Sequence, residues 1–210
     1  MSKVLGAHDL LEISPVVPVV VVDDEAHAVP LAKALLRGGI GIIEVTLRTP
    51  AALPAIERIA EEVPEIVLGA GTVTAPEHAA KSAAAGARFL VTPGTTDTLL
   101  AAARDTGLPL LPGAATVSEA MRLAEQGVEA LKFFPAEPSG GAGFLKALGG
   151  PLPHLRFCPT GGITPESAPK YLALPNVGCV GGSWLTPKEA VLAGDWGAIE
   201  ALAREAAGLR

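Results

Sequence analysis

Short, almost unbroken apolar runs recur along the chain, separated by longer segments whose apolar residues fall at helical spacing. The runs are Val16 to Val22, Ile40 to Leu47, Ile66 to Gly69, Phe89 to Thr92, Leu108 to Pro112, Ala130 to Phe134, Arg156 to Pro159 and Gly178 to Gly181. Runs of this length and continuity read as strands of a parallel sheet covered on both faces. Between them, Ala26 to Arg37, Ala51 to Glu62, Pro76 to Ala85, Thr96 to Arg104 and Val117 to Glu125 are alanine-rich and carry their charges on one side, as surface helices do. Gly38, Gly39, Gly86, Gly107 and Gly127 stand where these helices should stop. Eight strand-then-helix units in 210 residues predict closure into a compact (β/α)8 TIM barrel. A short helix within Met1 to Ile13 is expected over one end. No linker or composition shift divides the chain, so residues 1–210 are expected to form a single domain.

Composition narrows the function. A 49% hydrophobic content and a mean hydropathy of +0.41 belong to a chain folded throughout. The net charge is −6 and the 16 basic residues are scattered, which leaves no electrostatic footprint for nucleic acid. The most apolar stretch, Val16 to Val22, contains Pro18 and is far shorter than the roughly 20 residues a membrane span needs. Asp9 and Glu12 lie where a signal peptide would be apolar, so a cytoplasmic protein is expected. Cys158 and Cys179 fall in apolar runs without CxxC spacing and read as buried thiols. His8, His27, His78 and His154 lie in loops, helix starts or the N-terminal segment, and form no metal-binding pattern. No metal and no other cofactor is expected.

The chemistry gathers at the C-terminal ends of the expected strands, which in a parallel barrel share one face. Lys132 is the only cation in Glu129 to Pro135, among Ala130, Leu131, Phe133 and Phe134. Burial disfavours a lysine's charge, and a neutral amine can form a Schiff base with a carbonyl compound; the bland alternative is an ammonium reaching out to solvent. Glu44 interrupts an apolar strand, where an unpartnered carboxylate is costly. It either pairs structurally with Arg48 or Lys132, or moves protons beside the lysine. Arg48 is a solvated loop arginine or a two-pronged clamp for a carboxylate. Thr72, closing a Gly-x-Gly-Thr turn, is a helix N-cap or a donor to substrate, and the glycines of that turn would let a ligand approach the backbone. Gly161 and Gly162 after the seventh strand, with Gly181, Gly182 and Ser183 after the eighth, match the phosphate site common in such barrels. One of Phe133 and Phe134 should pack in the wall, while the other either packs as well or flanks the bound carbonyl compound. Trp184 and Trp196 read as packing residues.

These residues lie in longer motifs: Pro15 to Val19 (PVVPV), Glu44 to Thr49 (EVTLRT), Gly69 to Val73 (GAGTV), Lys132 to Glu137 (KFFPAE), Arg156 to Ile163 (RFCPTGGI) and Gly181 to Leu185 (GGSWL). Over nearly its whole length the chain resembles the 2-keto-3-deoxy-6-phosphogluconate (KDPG) aldolases. The resemblance implies a homotrimeric, metal-independent class I aldolase of the Entner-Doudoroff pathway. Such an enzyme cleaves KDPG to pyruvate and glyceraldehyde 3-phosphate, and several of the family also cleave 4-hydroxy-2-oxoglutarate to pyruvate and glyoxylate. It further implies Lys132 as the Schiff-base former and Glu44 as the proton shuttle. Arg48, Thr72 and Pro93 would hold the carboxylate end, Phe134 would flank the keto group, Thr160 would lie near the reacting hydroxyl, and Gly161, Gly162 and Ser183 would bind phosphate. The alternatives are a same-family aldolase for the galactonate epimer or for unphosphorylated hydroxyoxoglutarate, a phosphosugar isomerase, and a non-catalytic barrel that senses phosphorylated keto acids.

Overall fold

The computed structural model describes residues 6–210. Its strands are β1 (Val16–Val20), β2 (Ile42–Thr46), β3 (Val67–Gly71), β4 (Phe89–Val91), β5 (Leu110–Leu111), β6 (Gly113–Ala114), β7 (Ala130–Phe133), β8 (Arg156–Pro159) and β9 (Val180–Gly182). The principal helices are α1 (Ala7–Leu10), α2 (Ala28–Arg37), α3 (Ala52–Glu62), α4 (Pro76–Ala84), α5 (Asp97–Asp105), α6 (Val117–Glu125), α7 (Gly141–Leu148), α8 (Ala168–Leu172), α9 (Lys188–Leu192) and α10 (Trp196–Ala207). All five helices expected from periodicity form within two residues of their expected ends.

All recorded strand pairings are parallel. A curled six-stranded sheet runs β5-β4-β3-β2-β1-β9, and a three-stranded sheet runs β6-β7-β8. Isolated parallel bridges, Phe157 with Val177 and Thr160 with Gly181, join β8 to the β9 segment. The strand expected over Leu108 to Pro112 is instead two short pieces on either side of Pro112. Proline has no N–H for the ladder. On its far side the N–H of Gly113 bonds to the Thr92 hydroxyl at 2.9 Å rather than to a backbone carbonyl.

Alternation along each strand divides the core in two. Val16, Val20, Ile43, Val45, Leu68, Ala70, Leu131, Phe133 and Phe157 face outward against the helices. Val17, Ile42, Phe89, Val91, Leu111, Ala130, Cys158 and Cys179 face inward and form one buried cluster with Leu10 and Leu11, so α1 and the residue after it plug the N-terminal end of the strands. The expected N-terminal helix thus lies where the pattern put it, although Met1 to Leu5 fall outside the described residues. By the same two-residue period Glu44, Lys132 and Thr160 point inward, above the apolar plug, and this parity is what places them together. Two of the inner positions of β3, Gly69 and Gly71, are glycine because neighbours need the room. A Cβ on Gly69 would stand 2.2 Å from the Phe89 ring.

Candidate active site

Lys132 and Glu44 come from different sheets and meet in the interior. The ammonium nitrogen Nζ donates to Oε1 of Glu44 at 3.0 Å and to Oε2 at 3.3 Å. Lys132 is 5% exposed and Glu44 3%, so the pair is shielded from water on nearly every side. An ammonium and a carboxylate this deep are tolerable only as a bonded pair. Of the partners open to Glu44, the structure selects Lys132. The guanidinium of Arg48, exposed at the end of β2, makes no hydrogen bond or ion pair with any described residue.

The pair opens into a cavity of about 170 Å³ whose lining also includes Arg48, Thr72, Pro93 and Phe134 at one side, and Thr160, Gly161, Gly162 and Ser183 at the other. Each of the ten candidate residues therefore faces one hollow. Phe134 lies beside Lys132, with Nζ 5.5 Å from its ring centre, while Phe133 is buried in the wall and stacked on Phe144 at 5.0 Å. Thr72 is not a helix cap, since Ala75 holds that place before α4. Its backbone φ of 57° is left-handed, a conformation costly for a β-branched residue that turns it toward the cavity mouth.

Two glycines leave space for this arrangement. A Cβ on Gly71 would lie 2.0 Å from Oε1 of Glu44, and one on Gly181 would lie 2.1 Å from Oγ1 of Thr160. The Gly-x-Gly-Thr turn therefore owes its second glycine to the glutamate of the neighbouring strand, not to a ligand approaching the backbone. Gly161 and Gly162 have φ of 103° and 81°, and so form a turn that other residues would strain. Gly181 and Gly182 also line the cavity, and Val19, Val21 and Ile163 complete it as apolar residues that carry no chemical signal of their own.

Beneath the site, Cys158 Sγ approaches Thr160 Oγ1 at 3.9 Å, and the two cysteines are free and buried. The hydrogen bond to Cys158, together with burial, pushes the Cys179 thiol well up from its ordinary range. Among the described residues no group of three His, Cys, Asp or Glu side chains could hold a metal ion. A larger hollow of about 470 Å³ lies alongside, between the end of β1 and α9, and shares Val19, Val21 and Ser183. Its ion pair, Asp23 with Lys188 at 2.8 Å, is solvent-exposed, and an exposed pair can neither hold a strained charge nor exclude water. The smaller hollow holds the buried charges.

Comparison with known proteins places the chain in a family. The family model for KDPG and KHG aldolase matches residues 8–202. A 2-dehydro-3-deoxy-phosphogluconate aldolase from Pseudoalteromonas atlantica is 54% identical over 202 residues, covering 96% of this chain and 94% of that protein. A KDPG aldolase from Legionella pneumophila, solved with pyruvate captured as a covalent carbinolamine intermediate, superposes with a TM-score of 0.95 at 45% identity, covering 97% of this chain and 99% of that one. The KDPG aldolase of Zymomonas mobilis, solved with 3-phosphoglycerate, gives 0.92 at 45% identity, over 99% and 98% of the two chains. The chain belongs to the KDPG and KHG aldolase family.

Proposed function

We propose that this protein is a class I aldolase that cleaves KDPG to pyruvate and D-glyceraldehyde 3-phosphate, and 4-hydroxy-2-oxoglutarate to pyruvate and glyoxylate. The observation that carries it is the buried contact of Lys132 Nζ with Glu44 at 3.0 Å, at the floor of a cavity open to small keto acids. The carboxylate bonded to Nζ is placed to take a proton from it and so free the amine to attack. The freed amine adds to the C2 ketone, and Glu44 returns a proton to the carbinolamine hydroxyl, which leaves as water. The protonated imine is the electron sink. Glu44, directly or through a water, then removes the C4 hydroxyl proton. The C3–C4 bond breaks as the C4–O bond becomes a carbonyl, and the bonding pair flows into the imine to give an enamine. Protonation at C3 and hydrolysis release pyruvate and restore Lys132.

Arg48, whose guanidinium bonds to no described residue, Thr72 and Pro93 hold the substrate carboxylate. Phe134 packs beside the keto group, and Thr160 aligns the reacting hydroxyl. The Gly161–Gly162 turn and Ser183 bind the phosphate through N–H and O–H donors. The two sheets form one closed (β/α)8 barrel, which the β8–β9 bridges and the near contact of β5 and β6 across Pro112 support. The protein works in the cytoplasm as a homotrimer in the Entner-Doudoroff pathway, a reading supported by kinship rather than by geometry. No helix among the described residues is long and apolar enough to cross a membrane.

The experiment is borohydride reduction in the presence of pyruvate, followed by peptide mass spectrometry. A reduced pyruvyl adduct on Lys132 is expected; the absence of an adduct on any lysine refutes the mechanism.

A further inference from the structure

Behind the Gly161–Gly162 turn lies a bond that the chemistry above does not use. Tyr171 on α8 is 1% exposed, and its hydroxyl donates to Oε1 of Glu137 at 2.6 Å. Glu137 is itself a surface residue. Its backbone is tied to the turn, with its N–H bonded to the carbonyl of Gly161 at 3.0 Å and that of Ala136 to the carbonyl of Thr160 at 2.8 Å. Its side-chain stem packs over the turn, since a Cβ on Gly162 would lie 2.9 Å from both Cβ and Cγ of Glu137. Gly141, at the start of α7, leaves room for both ends of the bond: a Cβ there would stand 3.2 Å from the Tyr171 hydroxyl and 3.5 Å from Oε2 of Glu137.

A carboxylate one residue layer from a phosphate site would repel the ligand if it swung into the mouth, yet Glu137 is not among the residues lining the cavity. The tyrosine accounts for that. A hydroxyl donating to a carboxylate forms a short, charge-assisted bond, and this one is anchored from a buried ring. Burial first, and the bond to Glu137 second, push the Tyr171 hydroxyl well up from its ordinary range, so it remains a donor at every working pH.

We propose, on the assignment of the Gly161–Gly162 turn to phosphate made above, that Tyr171 and Glu137 are a positioning pair. They hold the turn in its anion-binding shape and turn the Glu137 carboxylate away from the ligand, so that the pair sets the preference for phosphorylated over unphosphorylated substrate.

The test compares KDPG with 4-hydroxy-2-oxoglutarate in steady-state kinetics of the wild type, Tyr171→Phe, Glu137→Ala and Glu137→Gln. In Tyr171→Phe, KM for KDPG should rise about tenfold, the worth of one good hydrogen bond, with kcat little changed and hydroxyoxoglutarate turnover kept. Glu137→Ala removes the same bond from the solvent side, where folding is not at risk, and should raise KM similarly. Glu137→Gln keeps an acceptor for the tyrosine and should largely restore it. Equal losses on both substrates, an unchanged KM, or a lower KM in Glu137→Ala would overturn the pair's role. A wild type that shows no preference for KDPG would instead remove the phosphate assignment itself, and that result is visible before any variant is measured.

Discussion

The carboxylate of Glu44 fills the space that a side chain on Gly71 would need, with Oε1 only 2.0 Å from where a Cβ would stand. Gly71 lies outside the left-handed region, so the requirement is for volume and not for backbone freedom. Alanine at this position would push the carboxylate off Lys132 without altering either residue of the pair. Gly71→Ala is therefore expected to lower kcat by about 10²-fold, the scale of a lost general acid and base. It should also lower stability, because the ammonium of Lys132 would remain buried with a poorer partner. Progress curves and thermal unfolding of the one variant measure both.

Lys132→Ala and Glu44→Gln separate the proposed nucleophile from the proposed proton carrier. Loss of the amine should abolish turnover and pyruvate trapping. Glu44→Gln should retain a slow reaction, about 10²-fold or more down in kcat, and should still form the trapped adduct with pyruvate. Each substitution also breaks a buried pair, at a cost of about 3–5 kcal/mol where the remaining charge stays in place. Near-normal turnover in Lys132→Ala would exclude the scheme.

Much of this site was legible because period-two alternation marks which residues of a buried strand share a face. Glu44 and Lys132 each break an apolar run, and both fall on the inward parity of their strands. What alternation cannot convey is the distance between strands remote in sequence. Glu44 had two candidate cations, and only the folded chain, bringing together residues 88 apart, shows that Lys132 is the one. The same limit hid the partner of Gly71. The turn glycine looked like a ligand feature because the residue that needs its space sits on a neighbouring strand. The break at Pro112 was missed for a different reason: apolar content predicted a continuous strand, whereas the missing proline N–H interrupts the ladder. Helix α8, which carries Tyr171, is five residues long, too short to show a period.

The two thiols are expected to be inert in the native protein. Cys179 is completely buried and Cys158 is 4% exposed; the bond to Cys158, then burial, hold the Cys179 thiol up, while that same bond lowers the Cys158 thiol, so Cys158 is protected by lack of access alone. Titration with an aromatic disulfide reagent at neutral pH should find neither thiol in the folded protein and both after denaturation. Rapid labelling of the native state would contradict the enclosed interior.

The start of α6 supplies a pH dependence whose sign follows from its geometry. Thr116 caps the helix by accepting from the N–H of Glu119 at 3.2 Å, while Oε2 of Glu119 accepts from the N–H groups of Ala115 at 2.8 Å and Thr116 at 2.9 Å. The Ala115 bond above all holds the Glu119 carboxyl below its usual range. A carboxyl depressed in the folded state stabilises the fold at pH values above its unfolded value, and that contribution disappears as pH falls through the folded value. At neutral pH, Glu119→Ala should therefore lower Tm by the few degrees expected of a lost capping box. In acid below about pH 4, the ordinary glutamate range, the gap between wild type and variant should close. Thermal melts of both proteins across that range decide the matter, and a gap that widens in acid would show that the Glu119 carboxylate does not support the cap.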